Sequence, residues 1–372
     1  MKRKELLREV ERIVIKVGTS TITKGSSAAS KEVMDSIAKQ VKELKNQGKE
    51  VLIVTSGAIG IGLKAMGVKP NPNDIPMRQA ASSVGQSILM QKWIESFQQE
   101  GMLVAQILLT MDIYSDRESV LNLNNTIDAL LANNVVPIFN ENDAVSIKEI
   151  GAVFGDNDTL SAMIASRVDA DLLIIMSDVD GLYDKNPNIH KDAKFISFVE
   201  EITPEIKEMA GDPVSGIGVG GMKTKIRAAE ICKDAGCRMM IVSSAVEEVI
   251  IKVAGGEDIG TIFVTDKHMS KKRRWLKSAR PLGSIVIDEG ACKAIQNHSS
   301  LLPAGIIDVQ GSFDKGDVVN ISYGGIVVAR GIPQYDSSEI EKIKGKHSSK
   351  IKDILGHAMK ADVVLSEDMV TL

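Results

Sequence analysis

Two lysines frame the chemistry this sequence could carry. Lys16 lies inside an apolar run, Ile13-Val-Ile-Lys-Val17, and Gly18-Thr19-Ser20 follows at once. A lysine in such a run is costly to bury unpaired, so it must reach solvent or meet an anion. With a glycine and two hydroxyls behind it, the composition is that of a phosphate site, although not the P-loop pattern. An exposed edge-strand lysine is the alternative. Lys225 closes a second candidate, Gly216-Ile-Gly-Val219-Gly220-Gly221-Met222-Lys223-Thr224-Lys225. A glycine-rich loop feeding a helix cradles anions on backbone N–H groups, and a lysine in the first turn opposes the helix dipole unless an anion is bound. A flexible solvent loop is the competing reading.

Three polar clusters could complete such a site. Thr55-Ser56-Gly57 follows an apolar run, where glycine allows close approach of an anion; a plain turn with a serine cap explains it nearly as well. Asn140-Glu141-Asn142-Asp143 exceeds what a turn requires, and its mixture of amides and carboxylates suits a small zwitterion. Gly155-Asp156-Asn157-Asp158 opens a helix, where one residue suffices as cap and a spare carboxylate could align two lysines. Ser177 and Asp178 leave a further strand.

These residues need elements to position them. Continuous Val/Ile/Leu runs at 13–17, 51–55, 103–108, 135–139, 172–176 and 239–242 read as parallel strands buried on both faces. Helical stretches over 30–47, 76–99 and 222–235 alternate with them, each closed by glycine. The alternation predicts an α/β fold, a mainly parallel sheet sandwiched by helices, with ligands at the carboxyl ends of the strands. From Gly283 the pattern changes to short strands at 284–287, 306–309, 318–321 and 326–329 between glycine turns, with little helix before 337–343. The expected division is a domain over 1–265, a basic linker over 266–282 and a β-rich domain over 283–372.

Composition excludes several classes. With 372 residues, 44% hydrophobic, 25% charged and a net charge of −4, the chain is long enough for two cores and is neither fibrous nor disordered. No apolar run reaches the ~18 residues of a membrane span, and the charged N-terminus lacks a signal peptide's apolar stretch. Three cysteines without metal spacing suit a reducing cytoplasm, and five scattered histidines offer no metal cluster. The basic excess of the C-terminal part sits in one run around Lys271-Lys272-Arg273-Arg274 and reads as a solvated linker, which weighs against nucleic-acid binding as the main function.

Taken in register, Lys16-Val-Gly-Thr-Ser, Val54-Thr-Ser-Gly-Ala-Ile, Asn140-Glu-Asn-Asp-Ala-Val, Gly155-Asp-Asn-Asp and Gly220-Gly-Met-Lys-Thr-Lys225 resemble the amino acid kinase family, on its glutamate-phosphorylating branch. Asp288-Glu-Gly-Ala, Ser300-Leu-Leu-Pro-Ala-Gly-Ile, Val309-Gln-Gly-Ser-Phe, Lys315-Gly-Asp-Val and Ala329-Arg-Gly, with Tyr335 and Ser337, resemble a PUA domain, a small barrel. The resemblance implies transfer from ATP to the γ-carboxylate of L-glutamate, the opening step of proline synthesis. Lys16 and Lys225 would contact the transferring phosphoryl group, and Asp158 would orient them. Ser56, Gly57, Asn140, Asp143 and Asn157 would hold glutamate. Lys16, Gly18, Ser177, Asp178 and the stretch Val219, Gly220, Gly221, Met222, Lys223, Thr224, Lys225 would hold the nucleotide. Mg²⁺ would ride on the phosphates, with no metal site of the protein's own. Ser177 and Val219 stand where the family pattern has threonine, and the second loses a hydroxyl. The family further implies proline as feedback inhibitor and a homo-oligomer, dimer or tetramer. The rivals are a sibling kinase for another acid and an RNA-binding protein.

Overall fold

The computed structural model describes residues 2–23, 29–71, 73–110, 117–145, 157–187, 189–209, 221–265, 271–279, 281–356 and 360–372. The chain separates into two compact units, one of Met1–Thr110 with Leu121–His268 and one of Met269–Leu372 with Met111–Val120.

The first unit is built on an eight-stranded sheet. Its strands are β1 (Arg12–Val17), β2 (Glu50–Val54), β3 (Val104–Leu109), β4 (Val136–Glu141), β5 (Leu172–Ser177), β8 (Phe198–Val199), β9 (Arg238–Ser243) and β10 (Thr261–Phe263); β6 (Leu182–Tyr183) and β7 (Phe195–Ile196) form a separate ribbon. The spatial order is β3-β4-β2-β1-β5-β9-β10-β8, parallel from β3 through β9, with β10 antiparallel to β9. β1 therefore lies between the two directions in which the chain winds. This is the switch point where an open α/β sheet parts its loops and leaves room for a ligand. The six strands expected from the sequence are all present; β5 is buried at every position, as a strand covered on both faces must be.

Helices α1 (Lys2–Leu6), α2 (Thr19–Thr23), α3 (Lys31–Asn46), α4 (Ala58–Ala65), α5 (Ile75–Gln99), α6 (Arg117–Ala132), α7 (Asn157–Arg167), α8 (Pro204–Met209), α9 (Met222–Ala235) and α10 (Val249–Ala254) connect these strands. Local signals set their ends. Ser30 accepts from Val33 N at the start of α3, Asp74 accepts from Met77 N at the start of α5, and Gly236 closes α9 in the left-handed conformation at φ 74°. α4 and α5 touch backbone to backbone: a Cβ at Gly62 would stand 1.7 Å from Ala81 O, and one at Gly85 would stand 1.8 Å from Ala58 O. Only glycine fits either position.

The second unit is a mixed five-stranded sheet in the order β12-β11-β13-β14-β15, with β11 (Gly283–Ile287), β12 (Ile306–Gln310), β13 (Val319–Tyr323), β14 (Ile326–Pro333) and β15 (Val364–Thr371). It carries α11 (Lys271–Ser278), α12 (Glu289–Gln296), α13 (Ser337–Ile343) and α14 (Ile351–Leu355). Register shifts at Val286/Ile287, Ile321/Ser322 and Gly331/Pro333 bend the sheet around a core that includes the fully buried Tyr335. Its hydroxyl donates to Lys360 O at 2.5 Å and accepts from Lys360 N. Two elements depart from the sequence expectation. α12 forms where little helix is expected, because Asp288 accepts from Ala291 N at 2.7 Å and caps it. β15 pairs with β14 although no strand is read there. The basic run expected as a solvated linker is the helix α11: Lys272, Arg273 and Lys277 are exposed, while Trp275 and Leu276 are buried and Arg330 donates to Lys277 O and Ala279 O at its end. The free cysteines Cys232, Cys237 and Cys292 are buried. Among the described residues no helix is long and apolar enough to cross a membrane.

Candidate active site

The carboxyl ends of β1, β2, β4 and β5 bring together the residues that the sequence scatters over more than two hundred positions. Register explains the convergence: Lys16 pairs with Val54 on one side and Ile175 on the other, and Val54 pairs with Phe139. Lys16, Ser56, Asn140 and Ser177 therefore lie at one edge of the sheet.

Asp158 is the hinge of the charged half. α7 is buried over most of its length, so a carboxylate in its first turn enters the interior and is fully buried. One oxygen meets Lys16 Nζ at 2.7 Å; the other meets Lys225 Nζ at 3.0 Å and accepts from Thr224 Oγ1 at 3.1 Å. Lys225, in the first turn of α9, is itself 5% exposed. Burial alone would raise the Asp158 pKa, but the two ammonium groups overcome it and hold the carboxyl down at about 2. Among the described residues, the half-buried Lys16 and the buried Lys225 share one buried anion; an excess of positive charge in a low-dielectric setting favours a further anion.

The second half of the site is built mainly of amides. Asn157 does not serve as a simple cap: its Nδ2 donates to Thr55 O, to Ser56 Oγ at 2.7 Å and to Asn140 Oδ1 at 3.0 Å. Asn140 Nδ2 donates in turn to Gln86 Oε1 at 2.8 Å, and Gln86 Nε2 to Gln106 Oε1 at 3.1 Å. Asp143, half-buried at the end of this row, accepts from Ser82 Oγ at 2.8 Å. Burial raises its pKa, against the lowering effects of the Ser82 hydrogen bond and the Arg78 charge. Gly57 caps α4 at φ 98°, a conformation that favours glycine.

The other expected residues surround the charged half. Gly18 is buried, with Lys16 Nζ 3.4 Å from where its Cβ would stand. Ser177 is buried and donates to the exposed Asp178 at 3.0 Å. Gly221 is the N-cap of α9 and offers no side chain to its first N–H groups; Met222 is half-buried, Lys223 is exposed, and Thr224 donates to Gly221 O as well as to Asp158. Val219 and Gly220, with Gly155 and Asp156, lie outside the described residues. Sequence reasoning missed Ser82, Gln86 and Trp93, all on α5; Trp93 Nε1 donates to Thr55 Oγ1 at 3.1 Å. Their signal was a row of small and polar residues, Ala80 to Ser83 and Gln86, inside a helix otherwise headed for the core.

What this edge offers chemically is positive charge at the Asp158 bridge beside a row of amides. Sequence comparison points the same way. The profile of the amino acid kinase family matches residues 11–243, and that of the PUA domain matches residues 283–355. The chain is 53% identical to the glutamate 5-kinase of Methanosarcina barkeri, over 99% of this chain and 98% of that one. It is 42% identical to the glutamate 5-kinase of Caldanaerobacter subterraneus, over 97% and 98% respectively. Among solved structures, the carbamate kinase of Giardia lamblia bound to AMP-PNP superposes with a TM-score of 0.50 at 16% identity, covering 69% of this chain and 99% of that one, a likeness of fold.

Proposed function

The chain belongs to the amino acid kinase family and, within it, to the glutamate 5-kinases, and on that premise we propose that its strand-end site transfers the terminal phosphoryl group of ATP to the γ-carboxylate of L-glutamate. The product is γ-glutamyl phosphate, the activated acid that opens proline synthesis. The observation that carries the reading is the buried bridge of Lys16 and Lys225 through Asp158.

The choice of groups fits the reaction. A glutamate carboxylate, with an ordinary pKa of about 4.3, is ionised at neutral pH and needs no general base. The obstacle is repulsion: at 4 Å each like-charge pair costs ~4 kcal/mol at an effective dielectric of about 20. Fixed cations should therefore dominate. Lys16 and Lys225 each spend one donor on Asp158 and keep others for phosphate oxygens, one on each side of the transferring group. Asp158 keeps both lysines aimed, and Thr224 steadies Asp158. Gly18, Gly221 and the backbone that follows would cradle the remaining phosphates, with Ser177, Asp178, Met222 and Lys223 beside the nucleotide and Val219 and Gly220 on the same loop. Ser56, Gly57, Asn140, Asp143 and Asn157 would receive glutamate, with Asp143 facing the ammonium and the amides facing the α-carboxylate.

The donor set fits a polyanion rather than a metal cage. Asp158 is already committed to two lysines, and among the described residues no group of three or more His, Cys, Asp or Glu could hold a metal ion. Mg²⁺ carried on the phosphates of ATP would supply further charge neutralisation.

Hydroxylamine trapping tests the reading. With ATP and Mg²⁺, the chain should give the ferric hydroxamate colour with L-glutamate and not with N-acetylglutamate or L-aspartate. Colour with another acid alone would keep the kinase and change its acceptor. No colour with any of them would overturn acyl-phosphate formation.

A further inference from the structure

No residue of α5 is among those the sequence singles out, yet this helix supplies a member of the amide row, Gln86, and the serine that holds Asp143. Ser82 and Gln86 lie one turn apart on the same edge of α5, are 4% and 8% exposed, and reach the strand-end groups directly. Buried serine and glutamine are tolerated only with partners. Ser82 bonds Asp143, and Gln86 bonds Asn140 as well as Gln106; Asp143 and Asn140 are side chains already assigned to the acceptor.

Ser82 Oγ donates to one carboxylate oxygen of Asp143 at 2.8 Å, which restricts the rotation of the carboxylate. Gln86 acts through direction. Its Oε1 accepts from Asn140 Nδ2, so Asn140 must present Oδ1 to Asn157, and Asn157 must present Nδ2 to Asn140 and Oδ1 elsewhere. Gln86 Nε2 is fixed in turn by Gln106 at the exposed end of the row. Reversing any one amide would set donor against donor along the row. Gly85 sets the distance between the helices, since its backbone lies close against Ala58 O, in the first residue of α4.

We propose that Ser82 and Gln86 are positioning residues for the acceptor amino acid: by holding the Asp143 carboxylate and the Asn140 amide, they set the pattern of donors and acceptors that receives its ammonium and α-carboxylate. The proposal rests on the reading of Asn140, Asp143 and Asn157 as the glutamate site.

Steady-state kinetics of the full chain test it. Ser82→Ala and Gln86→Leu should each raise KM for L-glutamate about tenfold while KM for ATP stays within about twofold, since each removes a hydrogen bond to a side chain assigned to the acceptor. Ser82→Thr, which keeps the hydroxyl, should recover most of the lost affinity. In an Asp143→Ala background, Ser82→Ala should add less than about twofold, as expected when one residue acts through the other. Ser82→Ala removes a single oxygen, so it carries the test even if Gln86→Leu fails to fold. An unchanged glutamate KM in Ser82→Ala, an equal rise in both KM values, or a full additive rise on top of Asp143→Ala would overturn the proposal. A glutamate KM unmoved by Asp143→Ala itself would instead remove the assignment of the glutamate site on which it rests.

Discussion

The two halves of the proposed site are built by opposite means. On the side proposed for the phosphoryl group, Lys16, Asp158 and Lys225 form an ionic bridge drawn from three elements, β1, α7 and α9. On the side proposed for the acceptor, Asn157, Asn140, Gln86 and Gln106 form a chain of neutral amides, and a separate bond from Ser82 holds Asp143; Ser82 and Gln86 both belong to α5. The difference matches the charges to be handled. A polyphosphate has no fixed hydrogen-bond pattern to read but carries a large charge, so the protein supplies charge. An amino acid carries little net charge but has a definite arrangement of donors and acceptors, so the protein supplies pattern. An ionic bridge tolerates small displacements, whereas an amide chain fails as soon as one member turns over.

The sharpest way to break this contrast is Lys225→Met. It should lower kcat about 10²–10³-fold, the usual cost of removing one group that stabilises developing charge, while leaving KM for glutamate nearly unchanged. Equal losses in affinity and turnover would make Lys225 a structural residue and erase the division. Next in size is Gly85→Ala, whose new methyl would meet Ala58 O and force α4 and α5 apart. A loss of about 3 kcal/mol, the upper end for overpacking, should appear as a fall of several degrees in Tm, accompanied by a higher glutamate KM. A variant as stable as the parent would mean that the helices are not locked.

Acid provides a third probe, aimed at the ionic half. The Asp158 carboxyl is held at about 2, below its ordinary 3.8. The fold thus favours the charged form. Its stabilisation is complete above the ordinary carboxylate range and disappears as pH falls from about 4 towards 2, a span worth about 2 kcal/mol. Urea midpoints measured down this range should fall more steeply for the parent than for Asp158→Asn. Parallel slopes would show that the bridge adds no pH-dependent stability. The smallest expected effect is on the amide half: Asp143→Ala should raise glutamate KM about tenfold, the lower end for a bond to a charged group, with ATP little affected. The reverse pattern would move Asp143 to the nucleotide.

Most of the parallel strands were readable as continuous apolar runs, because a strand covered on both faces has no polar alternation to obscure it; Lys16 interrupts the run at 13–17 and Gln106 that at 103–108, but the other residues of each are apolar. Lys16, Asp158 and Lys225 were readable as chemistry because a charge in an apolar strand, a surplus carboxylate at a helix start and a lysine against the helix dipole each violate a local rule. Ser82 and Gln86 violate none. Serine and glutamine are unremarkable within a helix, and only the position of α5 against the ends of β2 and β4 turns them into partners of Asp143 and Asn140. The strand β15 escaped for a related reason: Val364–Thr371 contains Ser366, Glu367 and Asp368 in a row, and its pairing with β14 comes from the sheet rather than from its own pattern.

Composition, apolar periodicity and glycine placement by themselves determined the alternating α/β order, the change to a β-rich second part and the set of charged residues available for phosphate chemistry. These follow from properties of short segments, and short segments are what a sequence displays. The tertiary structure alone decided that both lysines share one carboxylate, that Asn157 joins the amide row, and that α5 reaches Asp143 and Asn140. Each of these joins positions far apart in the chain, and their hydrogen bonds exist only because strand register and helix packing fix the distances between them.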